Sequence, residues 1–302
     1  MGSVNKELGM KILKCLIFVI SVMSLAVIFG CGAGGRESDS ESSGTGTVSM
    51  SITDAKPMLM ENPGKKIENV FVTIDQVLVH KSSGGWKSLP LPKSPTPYRI
   101  DLLQFSEGNT TELVPPVALA SGKYTQVRLS VASAAIIFKD NPYVEIPITF
   151  PSENLKTDKN FDFEVTEGDA TDITIDFDLS KSLIMEGHVY RLKPVLHIVE
   201  TEAAVTIEGA IANNMFGDGY VVITVFDSTG QEYTTIQVDM DTKSGFDDTS
   251  YAIFWLVPDQ SYKVEIDYYP KTAPGISVQS IIVPAKELGP GEIKTGADFL
   301  VP

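Results

Sequence analysis

From Thr47 onward apolar residues recur at every second position, and no segment carries the three-and-four spacing of a helix face. A period of two sends alternate side chains to opposite faces of an extended strand, so such a chain must build sheets with one face turned inward. "TVSMSIT" directs Val48, Met50 and Ile52 to one side. "NVFVTIDQVLVH" does the same with Val70, Val72 and Ile74, then changes phase to Val77 and Val79. One extra residue near Asp75 and Gln76 would restore the register, as a β-bulge does. "YTQVRLSVASAAIIF" continues through Val127, Leu129 and Val131, and "FDFEV", "TDITIDFDL" and "YRLKPVLHIVE" carry the pattern to Glu200. In "TDITIDFDL", Ile173, Ile175 and Phe177 share one face, which leaves Asp176 and Asp178 on the other, expected in solvent. "SSGG", "SEGN", "ASGK" and "TEGD" supply the turns between strands.

A second run of strands is expected at Val205–Ala212, Tyr220–Phe226, Glu232–Val238, Tyr251–Trp255, Tyr262–Tyr268, Val278–Val283 and Ala297–Val301. Seven short strands in about one hundred residues match the size and rhythm of an immunoglobulin-like sandwich. The predicted fold class is therefore all-β: two tandem β-sandwiches of immunoglobulin-like or Greek-key type, residues 47–200 and 201–302.

The amino terminus obeys different rules. Lys11 and Lys14 precede Cys15–Gly30, 16 residues without a charge. As a helix this run spans about 24 Å, short of a hydrocarbon core of ~30 Å, and its length and flanks describe a secretory signal over residues 1–30. Ile28-Phe29-Gly30-Cys31 resembles the lipobox of bacterial lipoproteins, with Phe29 bulkier than the usual middle residue. The resemblance implies cleavage between Gly30 and Cys31, a diacylglyceryl thioether on Cys31, and acylation of the new amino terminus. Two or more acyl chains anchor a protein stably where one does not. Residues 31–46 then form the lipidated cysteine and a Gly/Ser/acidic tether with no apolar side chain beyond Ala33 to bury. Such a tether reaches roughly 20–24 Å, enough to hold a folded body clear of a bilayer. Gly32 in place of Asp after the cysteine points, by the same resemblance, to the outer membrane.

The two cysteines are Cys15 and Cys31, so the folded region has no disulfide, thiol nucleophile or cysteine metal site and relies on burial and strand pairing. The formal charge of −15 becomes more negative once the lysine-rich signal is removed, and a field of that sign repels phosphate backbones. Nucleic acid is not an expected partner. Membrane lipid through the anchor, polysaccharide and other envelope proteins are.

No G-x-S-x-G elbow, phosphate loop or paired-histidine metal motif is present. His80, His188 and His197 stand singly and read as packed or solvated side chains. Carboxylates are the crowded chemistry. Asp239, Asp241, Asp247 and Asp248 cluster in "DMDTKSGFDD", and clustered oxygens suit a hard cation such as calcium, yet Lys243 and the missing twelfth-position glutamate depart from the EF-hand pattern. A solvated acidic loop is the expectation, with no cofactor beyond the covalent lipid. Trp86 and Trp255 could stack sugars, but the apolar flanks of Trp255 place it in a core, and core is also expected for Trp86.

Three signatures resemble the bacterial domain of unknown function 4382: "GTVSMSITDAKP", the series "VFVTIDQVLVH", "GGWKSLP", "YRIDLLQF" and "GKYTQVRLSV", and the closing "GHVYRLKPVLHIV". The resemblance covers about Gly46–Val199. It implies a secreted or lipid-anchored protein and supplies no catalytic residue. "SGFDDTSYAIFWLVPDQSYKVEI" is similar to carboxypeptidase-regulatory-like or transthyretin-like sandwiches, which implies a spacer or adhesive role for the second unit. The expected function is a non-enzymatic binding or structural role at the cell envelope. The alternatives are a carboxylate- or metal-dependent hydrolase of envelope glycans and a periplasmic assembly factor.

Overall fold

The computed structural model describes residues 44–54, 66–92, 97–150, 154–156, 161–187, 189–212, 219–240, 249–270 and 276–299. It is all-β. The strands begin with β1 (Thr45–Thr53), β2 (Ile67–Lys81), β3 (Trp86–Leu89), β4 (Tyr98–Asp101) and β5 (Thr111–Ala120). They continue with β6 (Gly122–Phe138), β7 (Asn141–Pro147), β8 (Asn154–Lys156), β9 (Phe163–Val165) and β10 (Ala170–Phe177). One helical turn, α1 (Leu179–Ser182), precedes β11 (Leu183–Glu186), β12 (Val189–Leu192) and β13 (Leu196–Glu200). After the 3-10 turn Thr201–Ala203 come β14 (Val205–Ile211), β15 (Gly219–Phe226), β16 (Glu232–Met240) and β17 (Thr249–Leu256). β18 (Tyr262–Pro270), β19 (Ile276–Val283) and β20 (Ile293–Lys294) complete the series. Among the described residues no helix is long and apolar enough to cross a membrane.

The first body sets the sheet β13-β10-β1-β5 against a larger sheet built on the long pair β2 and β6. Alternation explains why these faces meet. Val48, Met50, Ile52, Val72, Ile74, Val77, Val79, Val127 and Leu129 are all fully buried in one hydrophobic cluster. The phase change in β2 is a bulge: the register with β6 shifts between Ile74 and Gln76, and Asp75 and Gln76 face solvent while the core side chains on both sides stay inward.

The second body has a separate cluster, from Val205 to Phe299, between the sheets β17-β14-β20 and β16-β15-β18-β19. Its last segment runs parallel beside β14, first at Ile293 and Lys294 and, after a turn at Gly296 (φ 74°), again at Phe299 opposite Ile211, with the Ala297 and Phe299 amides donating to the Glu208 and Ala210 carbonyls, so the strand expected at Ala297–Val301 pairs as far as Phe299. Residues 300–302 lie outside the described residues.

The two bodies touch through polar and aromatic contacts. Lys181 Nζ lies 3.5 Å from the Glu232 carboxylate and donates to the Glu232 carbonyl. His197 of β13 stacks on Tyr233 of β16 with ring centres 4.1 Å apart, and Tyr233 in turn meets the Tyr262 ring edge-on. Gly108 (φ 81°) approaches Phe254 so closely that an added Cβ would stand 3.0 Å from its ring.

Burial sorts the isoleucines into two kinds. Ile175 is fully buried and Ile282 is 73% exposed. Truncating Ile175 to Ala should cost about 2–5 kcal/mol of unfolding free energy, whereas Ile282→Ala should stay within about 0.5 kcal/mol. Denaturant titration of both variants checks the contrast.

Candidate functional site

β1 and β10 are hydrogen-bonded in parallel, with Thr53 opposite Asp176. Parallel neighbours bring their carboxyl ends to the same edge of a sheet. "SITD" and "TIDFD" therefore deliver Asp54, Asp176 and Asp178 to one place, although more than one hundred residues separate the two segments. Asp101 arrives from the other sheet, at the end of "YRID", where the 3-10 turn Leu102–Phe105 begins. That turn fastens the edge: the Phe105 carbonyl accepts from the Asp54 amide at 3.0 Å and from the Thr53 hydroxyl at 2.7 Å.

All four carboxylates are buried, with exposures of 2% for Asp54, 7% for Asp101, 4% for Asp176 and 0% for Asp178. The expectation of a solvent face for Asp176 and Asp178 is thus overturned. The second body covers the outer face of β10, and Asp178 lies past the strand end as the N-cap of α1, its Oδ1 accepting from the Lys181 amide at 3.2 Å and from the Ser180 hydroxyl. Asp178 Oδ2 stands 4.0 Å from His197 Nε2. Asp101 accepts from Asn69 Nδ2 at 2.7 Å, Gln104 Nε2 at 3.1 Å and the Val70 amide at 3.1 Å. Asp54 Oδ1 accepts from the Leu179 amide at 3.0 Å, while its Oδ2, like Asp178 Oδ2, finds no hydrogen-bond partner among the described residues.

Asp54 and Asp176 wall a cavity of about 750 Å³ that opens between the two bodies. Across it stand Thr234 of β16 and Phe254 and Trp255 of β17. Trp255 was expected in the core, and a bulge explains why it is not. Between the pairs Val205–Leu256 and Ile207–Ile253, β17 inserts two residues against one of β14, and Trp255 takes a left-handed conformation (φ 63°). A left-handed bulky residue is an uncommon, strained arrangement. Tyr251, Ile253 and Leu256 fill the second core, so the shift by one residue turns Trp255 out to the cavity, half-buried. Its indole Nε1 and the Thr234 hydroxyl are buried without a hydrogen-bond partner among the described residues. Each such atom costs about 1–3 kcal/mol unless something fills its place.

Among the described residues five acidic residues line this cavity, Asp54, Glu107, Asp176, Glu208 and Asp239, and no Lys, Arg or His does. Burial pushes the Asp54 carboxyl well above the usual range against the downward pull of the Leu179 amide, and the negative charges of Asp176, Asp178 and Asp101 push it further. A strongly perturbed carboxyl in a cleft marks a functional candidate.

The other sequence candidates fall elsewhere. Gly30 and Cys31, and the calcium candidates Asp241, Asp247 and Asp248, lie outside the described residues, as does His188. Asp239 is exposed on β16, accepts from Gln237 Nε2 at 3.1 Å, and lines the cavity. Among the described residues no group of three or more His, Cys, Asp or Glu is arranged to hold a metal ion. Trp86 is half-buried rather than core, with the Arg128 guanidinium 3.7 Å above its ring and His80 against it. The convergence of Asp54, Asp101, Asp176 and Asp178 escaped the sequence reading. Its one signal was an aspartate closing an apolar strand three times, in "SITD", "YRID" and "TIDFD".

A family profile described as "Domain of unknown function (DUF4382)" matches residues 45–194, nearly the whole first body. No curated protein matches the chain. Among solved structures, a leucine-rich repeat protein from Bacteroides thetaiotaomicron is similar at 11% identity and a TM-score of 0.23, over 85% of this chain and 26% of that one. The fimbrial anchor protein Mfa2 from Porphyromonas gingivalis is similar at 10% identity and a TM-score of 0.19, over 78% and 82%. Shaft pilin spaA from Lactobacillus rhamnosus GG is similar at 9% identity and a TM-score of 0.21, over 84% and 98%. Superpositions this loose carry no argument.

Raising the Asp54 value in the folded state above its unfolded value of about 3.9 makes folding take up a proton. The stability present below about pH 4 is therefore lost as pH climbs through the raised folded value. Asp54→Asn keeps the acceptor for Leu179 and removes the charge. It should raise stability at pH 7 by on the order of 1 kcal/mol, about 2–4 °C in Tm, with the gain vanishing near pH 3–4. Calorimetry of both proteins across that range checks it.

Proposed function

The chain belongs, over residues 45–194, to the DUF4382 family, and from that premise we propose that it is a lipid-anchored protein of the bacterial outer membrane with a non-enzymatic binding role. In this reading Cys31 carries the lipid, residues 31–46 are the tether, and residues 47–200 and 201–302 are two sandwich domains that hold a ligand between them. The single observation that carries the reading is the cavity between the bodies. It combines an aromatic and apolar wall, with Ile236, Phe254 and Trp255, and polar residues that include Asp54, Asp176 and Thr234. Ligand pockets have this composition: a mostly apolar lining with a few polar groups placed to orient what enters. Polysaccharide and envelope protein are the ligand classes an envelope location presents.

A second reading, a carboxylate-based glycan hydrolase, is favoured by one observation. Asp54 and Asp176 wall the same cavity, and burial holds Asp54 toward its protonated form, the state a general acid needs.

The anchor is tested by expressing the native chain and a Cys31→Ala variant in a Gram-negative host fed with labelled palmitate. The native protein should take up label and sediment with outer membranes, and the variant should do neither. Identical fractionation of the two would remove the anchor from the proposal. Protease shaving of intact cells then tells whether the cavity faces outward.

A further inference from the structure

The outer face of the larger sheet in the first body holds a cation fixed on an aromatic ring. β2 buries Val77 and Val79 and turns Leu78 and His80 outward, and β6 buries Val127 and Leu129 and turns Gln126, Arg128 and Ser130 outward. β3 buries Leu89 and turns Trp86 and Ser88 to the same face. There the Arg128 guanidinium lies 3.7 Å over the Trp86 ring, and His80 meets that ring edge-on with centres 4.9 Å apart. Gln76 Nε2 donates to the Ser88 hydroxyl beside them at 3.1 Å. Of the Arg128 nitrogens only Nε is closed off from water, and neither Nη makes a hydrogen bond or ion pair among the described residues. The other described arginines are both paired with carboxylates, Arg99 with Glu145 at 2.8 Å and Arg191 with Glu186 at 3.0 Å. In a chain with 39 acidic and 24 basic residues, an arginine set among outward side chains that include no acid is an exception.

A guanidinium held on a ring face keeps its planar fork of N–H groups, and two parallel N–H groups match the two oxygens of a carboxylate. Because stacking already restricts the Arg128 side chain, little rotamer freedom is left to lose when an anion arrives. The hydroxyls of Ser88 and Ser130 and the amides of Gln76 and Gln126 add neutral donors and acceptors on a flat surface. The net charge decides how many charges the ligand can carry. A formal charge of −15 repels a densely charged polymer, so one guanidinium suits one carboxylate among neutral hydroxyls.

We propose that the Trp86–Arg128 face binds a glycan unit bearing a single carboxylate, with the carboxylate on the Arg128 Nη groups and the sugar hydroxyls on Ser88 and Gln126. Hexuronates and nonulosonates share this chemistry. Neither Trp86 nor Arg128 lines the cavity between the bodies, so this is a second site, beyond the binding role proposed above. Recognition has two separable parts. Charge attraction at an exposed site is screened by salt, whereas the fork is a matter of shape. A lysine at position 128 keeps the first and loses the second.

The experiment uses the full-length chain in detergent with nitrogen-15-labelled tryptophan, whose two indole N–H resonances are assigned with a Trp86→Phe variant. Four probes are titrated at neutral pH: methyl β-glucuronide, the methyl glycoside of N-acetylneuraminate, methyl β-glucoside and acetate. At least one acid glycoside should shift the Trp86 resonance saturably and leave that of Trp255 in place. Its affinity should fall at least tenfold in Arg128→Gln, several-fold in Arg128→Lys, and again as salt is raised, with the Trp255 resonance reporting that each variant is folded. The glucuronide and the neuraminate separate the two sources of the carboxylate. An equal response to the neutral glucoside overturns the carboxylate assignment. A response to acetate as strong as to either acid glycoside overturns the glycan assignment. Unchanged affinity in Arg128→Gln, or no Trp86 shift with either acid glycoside at about 20 mM, overturns the site. A shift of Trp255 alone overturns it too, and supports the cavity between the bodies as the place of binding.

Discussion

The parallel pairing of β1 with β10 is the constraint on which the rest of the first body depends. These two strands occupy the middle of their sheet, β13-β10-β1-β5, and their side chains Val48, Met50, Ile52, Ile173, Ile175 and Phe177 form one wall of the core. Their contact closes a loop of more than one hundred residues, so its entropy must be met by burial that the whole body completes together. An antiparallel pairing would have separated the two carboxyl ends. The parallel one sets Thr53 beside Asp176, and with that the acidic edge exists.

That edge would be unfavourable if water could leave it only by packing against hydrocarbon. Asp101 and Asp178 are stabilised locally, the first by three donors and the second by the amide end of α1. Asp54 has one donor and several like charges around it, and burial together with those charges raises its pKa. The second body covers this edge without filling it. Lys181 to Glu232, His197 on Tyr233, and Gly108 under Phe254 hold the bodies together at points around the opening, and the cavity is what remains between those points. The bulge at Trp255 belongs to the same design, since without it the indole would lie in the second core with Tyr251 and Ile253.

Much of this was legible in the residues. Period-two patterning identified the strands, and the phase change at Asp75 and Gln76 identified a bulge. The bulge in β17 was not legible, because "YAIFWLV" offers apolar residues in both phases and only the partner strand β14 selects one. The burial of Asp176 and Asp178 was equally hidden. Alternation says which side chains share a face, and it is silent about what covers the other face.

The sequence by itself determined the all-β class, the inward face of each strand and the net negative charge, because each of these follows from local periodicity or composition. Only the tertiary structure decided that Asp54, Asp101, Asp176 and Asp178 meet, and that Trp255 and Thr234 look across a cavity toward two of them. Those facts depend on strand order, on parallel against antiparallel pairing, and on the contact of two bodies. All three are settled by long-range burial, where a residue's neighbours in space are strangers to it in sequence.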